Sequence, residues 1–246
     1  MTKKETLAYI LEASYQFSRY LSYKTRDERV KNEVRTLFTE HPVDYVVKRH
    51  TIQALTNSII RQMNSIINYN GEEFPELKPV EEKQRIEDLK YKEVCNTAYE
   101  NTIANINAIL ETNNIHLQVQ DLDRNHITLG ISDVSFTSVQ LVRYSGNKDT
   151  FDYMKPREVS YIPFDNDEER VKLATFLRDC SEFASNDNLT ELIFDTYMIY
   201  INYYEKKTNE HNKANTAIED ELYSIVYKHI RTFAKDILDF DLPETM

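Results

Sequence analysis

Residues 121–126, DLDRNH, set Asp121, Asp123 and His126 within one short turn between strands. Hard oxygens and an imidazole grouped in this way can take a divalent cation. A D-x-D in a turn more often accepts hydrogen bonds from nearby backbone amides, because a short carboxylate reaches the N–H groups two residues on. The other histidines are His41, His50, His116, His211 and His229, and none stands in H-x-x-x-H or E-x-x-H spacing. Those spacings would put two metal ligands on one helical face. Glu219, Asp220 and Glu221 form an acidic triplet near the start of an expected helix. Adjacent helical residues point in different directions, and acids in a first turn answer the helix dipole. Ser145, Ser181 and Ser185 lack the G-x-S-x-G setting of an activated serine.

Cys95 and Cys180 lie far apart, with no C-x-x-C pair and no histidine near either in sequence. They support neither a disulfide framework nor a zinc site, and a reducing compartment is the expectation. The glycines are Gly71, Gly130 and Gly146, too dispersed for a loop that cradles phosphate. No catalytic, cofactor-binding or metal-ligating residue is therefore assigned, and a non-enzymatic role is expected. A band of tyrosines, Tyr197, Tyr200, Tyr203 and Tyr204, suits a core or a subunit interface better than base stacking. The short basic run VVKRH, 46–50, reads as a solvated helix face.

The chain has 246 residues, 41% of them hydrophobic, and a formal net charge of -11. It is long enough for one large domain or two small ones, and apolar enough to fill a core. Its acidity repels a phosphate backbone, which argues against tight, sequence-independent DNA binding. The N-terminal MTKKETLAYILEASYQF is broken by Glu5, Glu12 and Gln16 and lacks a signal-like apolar stretch. No run reaches the ~20 apolar residues of a membrane span, so no membrane association is expected.

Apolar residues at helical intervals predict helices over 3–22, 26–40 and 44–68. NYNGEEFPELKPV, 68–80, mixes glycine, prolines and acids, and its loop near 69–80 reads as a domain boundary. A long helix is expected over 81–112, then three or four short antiparallel strands, since IHLQVQ alternates and HITLG, VSFTSVQLVRY and EVSYIPF are rich in β-branched and aromatic residues. Helices resume over 166–185, 188–207 and 215–240. The fold class is mainly α (α+β), an antiparallel helical bundle with a small antiparallel β-element inserted at about 115–163. The expected division is an N-terminal helical region, 1–70, and a bundle with its β-insertion, 81–246.

The order of these elements carries a resemblance. A helix ending in NTAYENTIANINAILETNNIHLQV leads to strands with SDVSFTSVQLVRYSG and PREVSYIPFD. An Ala- and Tyr-containing helix, the turn NDNLT and a long tyrosine-bearing helix follow. Over about residues 90–220 this resembles the head-to-tail adaptor (connector or tail tubular) proteins of tailed bacteriophages. NIHLQV stands where that family usually has a tryptophan at the end of its first long helix, and residues 1–80 extend beyond the compact adaptors.

The resemblance implies a homo-oligomeric ring in the head-tail neck of the virion, assembled in the host cytoplasm. It would dock beneath the portal and beside other neck or tail proteins, with DNA passing through its lumen without sequence-specific binding and with no cofactor. An acidic lumen would not trap a polyanion in transit. The β-ribbon would dock on a neighbour's strand edge. The interface residues expected from the ribbon and tail are Phe136, Val139, Leu141, Arg143, Tyr144, Tyr161, Phe240 and Leu242. A different reading of the same acidity is a phage-encoded regulatory or inhibitory protein that occupies a basic groove of a host protein.

Overall fold

The computed structural model describes residues 1–40, 43–131, 138–144, 153–160 and 167–245, with backbone alone at 138–144, 153–160 and residue 169. The chain is mainly α-helical with one small antiparallel sheet. In chain order the helices are α1 (Lys3–Ser22), α2 (Glu28–Glu40), α3 (Val43–Arg49), α4 (Ile52–Asn70), α5 (Lys78–Thr112), α6 (Asp167–Ser185) and α7 (Asp187–Asp236). Between α5 and α6 run β1 (Gln118–Leu122), β2 (His126–Gly130), β3 (Ser138–Tyr144) and β4 (Tyr153–Ser160). Two compact units emerge. Unit 1 comprises Met1–Glu87 with Lys213–Met246, and unit 2 comprises Asp88–Asn212.

In unit 1, α1 starts on a capping box. The Thr2 hydroxyl accepts the Glu5 N–H, and the Glu5 carboxylate accepts the Thr2 N–H at 2.6 Å. Leu7, Ile10, Leu11 and Phe17 of α1 bury against Leu55, Ile59, Met63 and Ile66 of α4 and against Ile218, Leu222, Val226, Ile230 and Phe233 of α7. Aromatic rings link these helices, with Phe233 5.2 Å from both Phe17 and Tyr20. The single helix expected over 44–68 is two, because Thr51 takes an extended conformation and its hydroxyl accepts the Ala54 N–H at 3.1 Å.

The expected boundary at 69–80 is corrected as well. This segment forms two short 3₁₀ turns, Gly71–Glu73 and Pro75–Leu77, whose Phe74 and Leu77, with Val80, sink into the unit 1 core. The division falls inside α5 and α7 instead, because the last part of α7 completes the core that α1 and α4 begin. The helices expected over 188–207 and 215–240 are likewise one, α7. TNEHNKAN between them carries no Gly or Pro to stop propagation.

The end of α7 reverses sharply. Asp239 adopts φ 58°, and the Phe240 N–H reaches back to the Ala234 carbonyl at 3.0 Å, the reversal that usually recruits glycine. This throws Phe240 onto Tyr9, with ring centroids 4.7 Å apart, and beside Phe38 at 5.4 Å. Leu242 is buried in the same core, and the Tyr227 hydroxyl donates to the Pro243 carbonyl at 2.9 Å. Phe240, half-buried, and Leu242, buried, thus pack within unit 1.

Burial pushes the Tyr227 phenol up to about 12, above the ~10 of an unfolded tyrosine. A raised phenol contributes stability that is whole below pH ~10 and drains away between pH ~10 and ~12, about 3 kcal/mol for a two-unit shift. Chemical denaturation in that window is expected to show the loss in the wild type, and Tyr227→Phe is expected to reduce it by the Tyr227 share.

Unit 2 packs Ile106 and Leu110 of α5, Phe176 and Phe183 of α6, and Ile193, Tyr197 and Ile201 of α7 against Leu122, Ile127 and Leu129 of the sheet. The sheet order is β1-β2-β3-β4, a meander with antiparallel neighbours. β4 begins at Tyr153, earlier than EVSYIPF suggests, and carries Pro156 opposite Leu141 on an outer strand, where a missing N–H is tolerated. α5 ends with Asn114 at φ 59° and the Ile115 N–H on the Leu110 carbonyl at 3.0 Å, which turns the chain into β1.

Candidate functional site

The acids and histidine of the β1–β2 turn serve the turn itself. Asp123 Oδ1 accepts the N–H groups of Asn125 and His126, at 2.6 and 2.9 Å, while its Oδ2 lies 2.8 Å from His126 Nδ1. Asp121 pairs with Thr128 within the ladder and faces solvent. Among the described residues no group of three or more His, Cys, Asp or Glu side chains is placed to hold a metal ion. Glu219, Asp220 and Glu221 lie within α7, far from its first turn, so the dipole does not explain them. They are exposed, and Glu221 meets Lys83 at 2.8 Å.

Asp179 is a buried carboxylate in unit 2, with no exposed surface. Its Oδ2 accepts the His116 N–H at 2.8 Å and lies 3.0 Å from His116 Nδ1, while Arg178 donates twice to Oδ1, at 3.0 and 2.7 Å. Burial works to raise its pKa, but the hydrogen bonds from Arg178 and His116 outweigh burial and hold it below the usual carboxylate range. This is a structural anchor for the segment leaving α5. Nearby, Asn107 Oδ1 takes the Val119 N–H at 2.8 Å, satisfying a backbone donor of the outer strand β1.

The tyrosine band divides around α7. Tyr197 is buried, its hydroxyl donating to the Asp123 carbonyl at 2.9 Å. Tyr200 sits edge-on to Tyr99, 6.4 Å between centroids. Tyr204 lies under the Arg124 guanidinium, 4.9 Å from its centroid. Hydrogen bonds from Tyr91 and Arg124 pull the Tyr204 phenol below its ordinary value, whereas burial pushes Tyr91 up to about 12. Tyr91 also bonds Thr208 at 2.8 Å and stacks on His211 at 4.2 Å, and His211 Nε2 lies 3.3 Å from Asp88. The arrangement ties the β1–β2 turn to α7 and α5 to α7.

Tyr203 points elsewhere, into an open groove between α5 and α7. The groove has two stretches, about 520 Å³ and about 460 Å³, which share Thr102, Asn105 and Ile199 and so run on as one. From α7 it receives Leu192, Thr196, Ile199 and Tyr203, spaced four, three and four apart; Leu192, Ile199 and Tyr203 are 48%, 72% and 40% exposed. From α5 it receives Val94, Ala98, Asn101, Asn105, Ala108 and Thr112, again alternating four and three. That is the spacing of a helical packing seam. The buried face of α7 carries a separate stripe, Leu189, Ile193, Tyr197 and Ile201. α7 is therefore apolar on two faces, and one of them has no cover among the described residues. Sequence reasoning misses this stripe; the spacing 192, 196, 199, 203 is the signal that could find it.

The expected interface residues of the ribbon fall differently. Phe136 and Tyr161 lie outside the described residues. Val139, Leu141, Arg143 and Tyr144 lie on β3, opposite Val159, Pro156, Met154 and Tyr153 of β4. Among the described residues no helix is long and apolar enough to cross a membrane. No family model matches the chain, and no match was found among the curated proteins or the solved structures.

Proposed function

We propose that this chain is a structural assembly protein, a subunit that works by packing against other protein chains. The observation that supports this reading is the solvent-facing ridge of Leu192, Ile199 and Tyr203 beside a strip of α5 that carries charge only at one end, at Glu93. Apolar surface gathered along a helical seam has its use in contact with another macromolecule. The sequence resemblance supplies the setting: a ring of the phage head-tail neck beneath the portal, with the acidic chain leaving DNA free to pass.

The test is to incubate the purified protein with the portal of its own phage and examine the mixture by electron microscopy and mass photometry. A ring seated on the portal is the expected result. A protein that ignores the portal and instead pulls down a basic host protein overturns the neck assignment in favour of an acidic inhibitor.

A further inference from the structure

We infer that the α5/α7 groove of unit 2 is a self-association surface, and that its occupant is the same groove of a second copy, turned about a two-fold axis. The inference rests on the reading of the chain as an assembly protein and names the first partner it meets. It does not depend on the neck setting.

Size complementarity is the first argument. The α7 side of the groove carries large residues, Leu192, Ile199 and Tyr203, and the middle of the α5 side carries smaller ones, Ala98, Asn101, Asn105 and Ala108, with Val94 and Ile109 as its larger apolar members. Ridge and slot lie next to each other on one face. A two-fold rotation places the ridge of each copy over the slot of the other, so that both halves are satisfied by a single contact. A partner with only a ridge or only a slot would leave half the face uncovered. The four helices brought together would pack as α5 and α7 already do, since both seams keep the alternation of four and three that lets knobs enter holes.

Charge is the second argument. Two chains of net charge -11 repel each other, and they can approach closely only across a surface that carries little of that charge. On α5 the residues just before the groove, EEKQRIEDLKYKE, are dense in charge. From Val94 to Thr112 the charges are Glu100 and Glu111, and neither lines the groove; Glu93 stands at one end. On α7 from Leu192 to Tyr203 the charge is Asp195, also outside the lining. The chain leaves this strip bare where a like-charged copy would have to sit.

Footprint sets the strength. The α5 strip is about 27 Å long at ~1.5 Å per residue, and two helices abreast at ~10 Å each give on the order of 500 Å² per copy. That is at the low end for specific complexes, so the contact is reversible and concentration-dependent. Because the contact itself is apolar and the long-range force repulsive, added salt strengthens it.

The experiment is sedimentation or mass photometry of the full chain across nanomolar to high-micromolar concentration, at low and high salt, for the wild type, Ile199→Asp and Asn101→Lys. Both substitutions are at exposed positions and leave the core intact, which circular dichroism checks. Expected is a dimer population that grows with concentration and salt in the wild type and is weakened at least tenfold in each variant. Mixing Ile199→Cys with Asn101→Cys in a Cys95→Ser background should give a disulfide-linked pair faster than either alone. A wild type that stays monomeric throughout overturns the inference, although portal binding would still support the assembly reading. A multimer that both variants leave unchanged overturns the groove as its surface while keeping the multimer.

Discussion

Deletion of residues 240–246 is expected to lower the stability of unit 1 by about 4–6 kcal/mol. The loss combines the Phe240 ring on Tyr9 and Phe38, the buried Leu242 side chain, and the hydrogen bond from Tyr227 to Pro243. Removing a large buried apolar side chain costs about 2–5 kcal/mol, less for the half-buried Phe240, and a neutral hydrogen bond about 1 kcal/mol. Against a typical total of 5–15 kcal/mol this is a large fraction. Thermal or denaturant unfolding of the truncated chain measures it. Unchanged unfolding, together with lost association, would return the tail to the role of a docking element that its sequence suggests.

The second large effect is expected at Asp179. Asp179→Ala strips the acceptor from the His116 N–H and opens a hole at a fully buried position. Arg178 and His116 are exposed enough to be rehydrated, so the cost is set by the stranded amide and the lost packing, about 2–3 kcal/mol. The Asp179 carboxyl titrates below its unfolded value. Its contribution is therefore present above pH ~4, the unfolded pKa, and is lost as pH falls through the lower folded pKa. The gap between wild type and Asp179→Asn should be constant near neutrality and close only in strong acid. Hydrogen exchange of amides in 88–212 gives the reading, and a gap unaffected by acid would remove the carboxylate from the account.

These two sites also show what a sequence reveals and what it conceals. The helix at 3–22 is legible because its start is a local capping box and its apolar face is regular, and both lie within reach of one window of residues. Asp179 is not legible, since its partner His116 lies 63 positions away and nothing near Asp179 announces the meeting. The break between α3 and α4 depends on one hydroxyl, that of Thr51, winning against a continuous apolar rhythm. The fusion of two expected helices into α7 depends on the opposite, an asparagine-rich stretch with no residue able to stop it. The β-element is legible in kind from its β-branched runs. The groove is only partly legible, because Tyr203 stands out as a member of the tyrosine band, while which face of α7 shows to water depends on where α6 and the sheet pack.

The discontinuity of unit 1 governs the order in which this protein can be made. Residues 88–212 must be synthesised before the stretch that completes the first core, 213–246, is added. At roughly 5–20 residues per second, α1 and α4 wait for on the order of ten seconds with Ile59, Met63 and Ile66 lacking part of their final cover. Nascent chains stalled near residue 212 should therefore be chaperone clients with an accessible, protease-sensitive N-terminal third, and release of the last 34 residues should convert it to a resistant form in one cooperative step.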